Sequence, residues 1–195
     1  LVKSISGKVV VCDKEIPYKP KRGMVGYIPQ RLGLVRHASV MHNVMLGANA
    51  GHKNEIKYGN KFIQKIVNST LSFFPSAKAK IKSHEAIRKM GLYDKINEPI
   101  RRLSGGQQRR VATARTLAQE PVLILADEFL SELDEETMGA VLKGVVEYIR
   151  SNNAALLVVE HDVSRAKSMA DRLLVIDDGR INPFITEVTM LEVKL

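Results

Sequence analysis

The stretch that most constrains this chain is Leu103-Ser104-Gly105-Gly106-Gln107-Gln108-Arg109-Arg110. A polar Ser-Gly-Gly turn opens straight into a helical pattern, in which Val111, Ala114, Leu117 and Ala118 recur at helical spacing. Ser104 is a natural N-cap, and the two glycines let backbone N–H groups approach a ligand closely. Unpaired N–H groups and the positive end of the helix dipole then point the same way, so the turn favours an anion. Taken alone, such a turn is an ordinary capped helix start. The residues after the helix make it more than that. Pro121 breaks the chain, and Val122-Leu123-Ile124-Leu125-Ala126 runs into the carboxylates of Asp127 and Glu128. An apolar run of this kind suits a parallel strand buried on both faces.

The alternation continues beyond it. Glu135 to Arg150 is an amphipathic helix with Met138, Val141, Leu142, Val145, Val146 and Ile149 on one face. Asn152-Asn153 makes a turn, and Ala155–Val159 reads as another buried strand, ending in Glu160-His161-Asp162. A short helix over Ser164–Ala170 and a strand over Leu173–Ile176, closed by Asp177-Asp178-Gly179, complete the series. Strand and helix in alternation predict an α/β fold with a parallel sheet and right-handed crossovers. Ile185–Leu195 alternates loosely and reads as one more strand.

Upstream, Val9-Val10-Val11-Cys12 is a β-branched run between turns, the pattern of an edge or antiparallel strand. A loop with Pro17, Pro20 and Gly23 leads to a second strand, Met24–Ile28, ended by Pro29-Gln30. Gln30 thus stands at a strand's carboxyl end, where α/β sheets gather ligand contacts. Residues 31–102 read as a helical insert. Ser39–Leu46 predicts a short helix; Ile56, Ile63, Ile66, Val67 and Leu71 form an amphipathic stripe ended by Phe73-Phe74-Pro75; and His84–Met90 is a third helical stretch stopped by Gly91. Met41, Met45 and Met90 read as core of this insert. His37, His42, His52 and His84 lack metal-ligand spacing and read as structural or exposed. The chain therefore divides into a β portion (1–30), a helical subdomain (31–102) and an α/β core (103–195).

Composition sets the surroundings. The longest apolar run is six residues, Ala154 to Val159, too short for a membrane helix. Cys12 is the only cysteine, so no disulfide forms within the chain, and a reducing compartment is expected. The net charge of +9 is uneven: residues 1–102 carry 20 Lys/Arg against 6 Asp/Glu, and 103–195 carry 10 against 15. A basic half suits a nucleic acid, an anionic membrane surface or plain solvent. The few aromatics are not interleaved with the basic residues as a base-stacking platform requires, so no nucleic acid is expected as partner.

Gln30 after a strand, Leu-Ser-Gly-Gly-Gln at 103–107, Leu-Ala-Asp-Glu at 125–128, Ser-Glu-Leu-Asp at 131–134 and His161 after a strand succeed one another in that order. In this order the chain resembles the nucleotide-binding domain of ABC transporters, over nearly its whole length. Leu34–Ala48 and the long insert look most like the ATPase subunits of phosphonate importers. The resemblance implies a P-loop-NTPase-like parallel sheet core with a helical subdomain insert and a small antiparallel β portion. It implies ATP and Mg²⁺ as cofactors, pairing with a second copy or another ABC ATPase subunit, transmembrane permease subunits as partners, and a cytoplasmic place at the inner face of the membrane.

It also implies roles. Asp127 would hold Mg²⁺ through water, a hard carboxylate suiting a hard cation. Glu128 would be the general base or water-polarising residue. Gln30 would touch the metal or the attacking water. His161 would hydrogen-bond the γ-phosphate where charge develops. Ser104, Gly105, Gly106 and Gln107 would bind the ATP held by a second subunit, and Asp134 would lie at the interface between the two.

The pattern is departed from in three places. The phosphate loop G-x-x-x-x-G-K-[ST] is absent: Gly7-Lys8 is followed by Val9, and position 2 is Val. By motif order Leu1 falls just after the helix that should follow that loop, so a longer product is expected, and the chain as it stands should bind ATP poorly. Phe129 stands where the family usually has proline, and Glu160 where a small polar residue is common; both are expected to shift loop geometry. Lipoprotein- or peptide-export ATPases and a soluble, non-transport ABC ATPase acting on nucleic acid or ribosomes are the alternative functions.

Overall fold

A computed structural model describes residues 9–11, 14–16, 21–52, 76–131 and 133–182. In chain order the elements are strands β1 (Val9–Val11), β2 (Lys14–Ile16) and β3 (Val25–Ile28), helices α1 (Val40–Gly51), α2 (Ala77–Lys89) and α3 (Gly105–Leu117), strand β4 (Leu123–Asp127), helix α4 (Glu135–Asn152), strand β5 (Ala155–Val159), helix α5 (Val163–Met169), and strands β6 (Val175–Asp177) and β7 (Arg180–Asn182). The centre is a parallel sheet in the order β3-β4-β5. Ile28 pairs with Ala126, and Ala126 with Val158. Helix α4 makes the crossover from β4 to β5. The expected α/β architecture, with helices around a parallel sheet and a small antiparallel pair, is what the chain adopts.

The helices start where short polar side chains satisfy their first N–H groups. Ser39, Ser76, Ser104, Asp134 and Asp162 each accept a hydrogen bond from a first-turn amide. One apolar core runs through the described residues: Ile28 and Ile124 from the sheet, Val44 from α1, Ile87 from α2, Val111 from α3 and Val145 from α4 all belong to it. Residues of the 31–102 stretch therefore share a core with the sheet. Helices α1 and α3 lie so close that a Cβ on Gly47 or Gly51 would run into the backbone of Arg115 or Gln119. Tyr148 from α4 donates its hydroxyl to Pro121 O at 2.8 Å, tying that helix to the entry of β4.

Several sequence expectations are corrected. Helix α1 runs past Leu46 to Gly51, because Gly47, Ala48 and Gly51 let it continue against α3. Helix α2 starts at Ala77, well before His84, because Ser76 supplies the cap; Gly91 follows its end in a left-handed turn at φ +63. Strand β1 is antiparallel as expected, and its partner is Lys14–Ile16, a strand that the sequence reading did not assign. Strand β5 is not buried on both faces: Leu157 is 58% and Val159 54% exposed, because no described element covers that side of the sheet. The strand expected at Leu173–Ile176 falls at β6, which pairs antiparallel with β7 and is not part of the parallel sheet. The amphipathic stripe at 56–71, Phe73-Phe74-Pro75 and the tail 185–195 lie outside the described residues.

Candidate active site

Parallel pairing puts the carboxyl ends of β3, β4 and β5 side by side. Gln30 follows Ile28 by two residues and Glu128 follows Ala126 by two, and these two strand residues are register partners. His161 follows Val159 by two, and Val159 is the partner of Asp127. One edge of the sheet thus gathers Gln30, Asp127, Glu128 and His161 from three strands, as expected where open α/β sheets bind ligands.

Two of these side chains meet. His161 Nε2 lies 2.8 Å from Glu128 Oε1; the imidazole is 82% exposed and the carboxylate 20%. The Glu128 backbone is fixed on both sides. Its N–H donates to Val159 O at 3.0 Å. Its carbonyl accepts from Arg109 Nη1 at 3.0 Å, from Ser131 Oγ at 2.9 Å and from Ser131 N at 3.1 Å. Its φ is +47, a left-handed conformation for a non-glycine residue, of the kind that persists where surroundings impose it. Asp127 is half-buried at the end of β4.

Gln30 is exposed, and the loop behind it is tied down. Arg115, in the last turn of α3, donates Nη1 to Gly33 O at 2.9 Å and Nη2 to Leu32 O at 2.8 Å. Asn43, buried in α1, accepts from Val35 N at 2.7 Å and donates to Val35 O at 3.1 Å. Among the described residues Gln30 makes no hydrogen bond with the Glu128–His161 pair.

The Ser104 turn forms a reciprocal cap. Ser104 Oγ accepts from Gln107 N at 3.3 Å, and Gln107 Oε1 accepts from Ser104 N at 3.1 Å. Ser104 and Gly105 are exposed, with Gly106 half-buried. Gln107 thus spends its side-chain oxygen on the cap, while the remaining first-turn N–H groups stay open to an anion. Asp134 caps α4, with Oδ1 accepting from Thr137 N at 2.8 Å. That backbone donor holds the Asp134 carboxyl below the ordinary aspartate range.

The two substituted loop positions have structural explanations. Phe129 is fully buried in the core. The Glu160 side chain is 4% exposed, and Arg165 Nη1 donates to its Oε2 at 3.4 Å. Burial pushes the Glu160 carboxyl above the usual glutamate range against the pull of Arg165, with Glu128 adding to the rise. Arg115 lies outside the quoted motifs, and Arg109 and Ser131 lie within them without an assigned role; the structure makes all three parts of the site. The one usable signal was Arg109: its i+4 and i+7 spacing to Thr113 and Thr116 puts it on the buried side of α3.

Does this edge suit a divalent cation with a nucleotide phosphate? Among the described residues no group of three or more His, Cys, Asp and Glu could hold a metal by itself. Mg²⁺ keeps several waters and takes one or two carboxylates plus substrate phosphates. Asp127 supplies a hard oxygen donor and Gln30 an amide oxygen.

Residues 1–131 match the family model described as ABC transporter. A hypophosphite import ATP-binding protein of Stutzerimonas stutzeri is 37% identical over 160 residues, which is 82% of this chain and 43% of that protein. A glutamine transport ATP-binding protein of Geobacillus stearothermophilus is 34% identical, over 91% of this chain and 64% of its own length. A phosphonates import ATP-binding protein of Nostoc is also 34% identical, over 91% of this chain and 62% of its own. This chain thus spans 43% to 64% of the length of these curated relatives. Among solved structures, a dimeric ATP-binding cassette in a post-hydrolysis state, bound to ADP and Pi, superposes with a TM-score of 0.72 at 22% identity, over 95% of this chain and 75% of that one.

Proposed function

The chain belongs to the ABC transporter family of ATP-binding proteins, and we propose on this basis that it is an ATP-binding, ATP-hydrolysing subunit that powers solute import through separate membrane subunits. The observation that carries the reading is the meeting of Glu128 and His161, 2.8 Å apart, at the strand end that also holds Asp127.

In this reading the Glu128 carboxylate takes a proton from the water that attacks the γ-phosphorus. The bond from that phosphorus to the β–γ bridging oxygen breaks, and ADP and phosphate result. Before nucleotide binds, the His161 imidazole holds the Glu128 carboxylate through Nε2; with nucleotide bound, an N–H of this exposed ring donates to the γ-phosphate oxygens. Asp127 would hold Mg²⁺ through water, with Gln30 on the metal or the attacking water, and the ion would supply charge neutralisation on the phosphates. Ser104, Gly105, Gly106 and the first turn of α3 bind the γ-phosphate of a nucleotide held by a paired subunit. Asp134, capping α4 a few residues after Glu128, lies at the contact between the two subunits.

Residues 31–102 form the helical subdomain that faces the permease, and 1–30 and 103–195 the catalytic body. Arg115 and Asn43 support this division of labour, since they join the loop after Gln30 to α3 and α1. Among the described residues no helix is long and apolar enough to cross a membrane. In the proposed role the protein acts as a peripheral subunit on the inner face of the membrane. For the substrate, the stretch Leu34–Ala48 favours a phosphonate or related oxyanion. Relatives named for hypophosphite and phosphonates accord with this. The glutamine relative is as similar as the phosphonate one, so that stretch carries the choice.

The test is a Glu128→Gln variant of the full gene product. With ATP and Mg²⁺ it should accumulate as a nucleotide-bound dimer on size exclusion and release no phosphate. Turnover at the wild-type rate would remove Glu128 from this role.

A further inference from the structure

We propose that Arg109 is a positioning residue that locks the helix carrying the Ser104 turn to the peptide carrying Glu128, so that the two halves of the phosphate chemistry move as one piece. Arg109 is only 3% exposed, and its Nη1 donates to Glu128 O at 3.0 Å, across 19 residues of sequence. It lies five residues after Ser104 in a continuous helix, α3. The other end of that helix is anchored by Thr116, whose hydroxyl donates to Tyr27 O at 3.1 Å, and by the Arg115 bonds to Leu32 and Gly33. A displacement of the Ser104 turn is therefore carried to the Glu128 peptide by a short, buried lever.

The receiving end is poised to respond. Glu128 sits at φ +47, where an L side chain stays only under constraint. The constraint consists of four bonds, from Arg109 Nη1, Ser131 N and Ser131 Oγ to its carbonyl and from its N–H to Val159 O. Removing the guanidinium leaves the carbonyl with only the local donors of Ser131, its N–H and its hydroxyl, and takes away the bond from α3. The peptide then shifts with its own turn and no longer with α3, and the carboxylate one side chain away shifts against His161. What the lock serves rests on the proposed ATPase function: the Ser104 turn meets a nucleotide on the paired subunit, and Glu128 acts on the subunit's own. The lock itself does not depend on that reading.

The experiment uses Arg109→Gln and Arg109→Lys in the full gene product. The imidazole signals of His161 are followed by NMR without nucleotide, and steady-state ATP hydrolysis is measured in parallel. Gln is too short to hold the bond; Lys keeps the charge and one donor. The His161 signals should move in Arg109→Gln and return part of the way in Arg109→Lys. kcat should fall about 10- to 100-fold in the Gln variant while KM for ATP stays within about twofold. Should Arg109→Gln fail to fold, the Lys variant alone must still shift the His161 signals. Folded variants with unmoved His161 signals, or a loss confined to KM, would overturn the proposal. Glu128→Gln is run as a control: full turnover there would overturn the ATPase reading, while the His161 signals would still decide the role of Arg109.

Discussion

His161 Nε2 and Glu128 Oε1 stand 2.8 Å apart, and the contact links the carboxyl ends of two neighbouring strands. The two partners are unequal. Glu128 is held in place by its backbone, whereas the His161 ring is 82% exposed and supports little packing. Chemistry and stability should therefore separate at His161. His161→Ala should leave the thermal midpoint within about 2 °C, as surface changes do. It should lower phosphate release by the full gene product roughly 100-fold. A midpoint loss as large as the activity loss would assign the ring a packing role instead.

Ser104 has two tasks, and they can be told apart. Its hydroxyl caps α3, accepting from Gln107 N, and in the proposed function it also faces a phosphate. Ser104→Ala should cost about 1 kcal/mol through the lost cap. That corresponds to a fall of about 2–4 °C in the thermal midpoint for a chain of this size. Ser104→Gly should cost only a few tenths of that. Nucleotide-dependent pairing should weaken in both variants, because neither keeps the hydroxyl. Differential scanning fluorimetry and sedimentation in ATP with Glu128→Gln as background read the two effects separately.

Much of this arrangement was legible in the residue order, and the rest depended on three-dimensional facts that local pattern does not carry. An apolar run ending in Asp127-Glu128, followed by a helix and a second run ending near His161, can scarcely be built except as parallel neighbours. Their ends then meet. The β6–β7 hairpin was also written in the sequence, in Asp178-Gly179, whose φ values of +45 and +71 fit a two-residue hairpin turn. The strand–helix rhythm before it hid that signal. The exposed side of β5 was not readable, because Leu157 and Val159 look the same whether or not something covers them. Arg109 was missed for a related reason. A cation in a helix is counted as surface, and its partner is a backbone carbonyl that has no sequence signature.

Two glycines in helices should respond to alanine with opposite signs. Gly47 in α1 faces the Arg115 backbone, and an added Cβ has no room there. Gly47→Ala should destabilise by about 1–3 kcal/mol, since one of the two helices must shift. Gly139 in α4 has nothing within 4 Å of the Cβ position. Gly139→Ala should stabilise by about 0.5–1 kcal/mol through the unfolded chain's lost freedom. Urea melts of the two variants decide it; equal signs would mean that α1 and α3 are not in the close contact described.

Acid should weaken the fold in two steps with separate origins, both at the junction of α1, α2 and α3. Lys82 Nζ and Lys78 Nζ lie 3.0 and 3.2 Å from the oxygens of Glu120, and His52 Nε2 lies 3.2 Å from the same carboxylate. Burial works against both charges. For His52 burial prevails over the pull of Glu120 and lowers the imidazole below its ordinary value of 6.5. The folded state then binds fewer protons than the unfolded one, so the contribution of His52 is complete above pH 6.5 and declines as the pH falls below it. For Glu120 burial is outweighed by hydrogen bonds from Lys82 and Lys78, and its carboxyl lies below its ordinary 4.5. Its contribution is present above that value and is lost as pH falls through the lowered one. His52→Gln should flatten the stability profile between about pH 7.5 and pH 5.5 (measured by urea denaturation, ~0.5 unit steps) while leaving the lower limb. Glu120→Gln should flatten the limb below pH 4.5. An unchanged upper limb in His52→Gln would show that the first step arises elsewhere in the molecule.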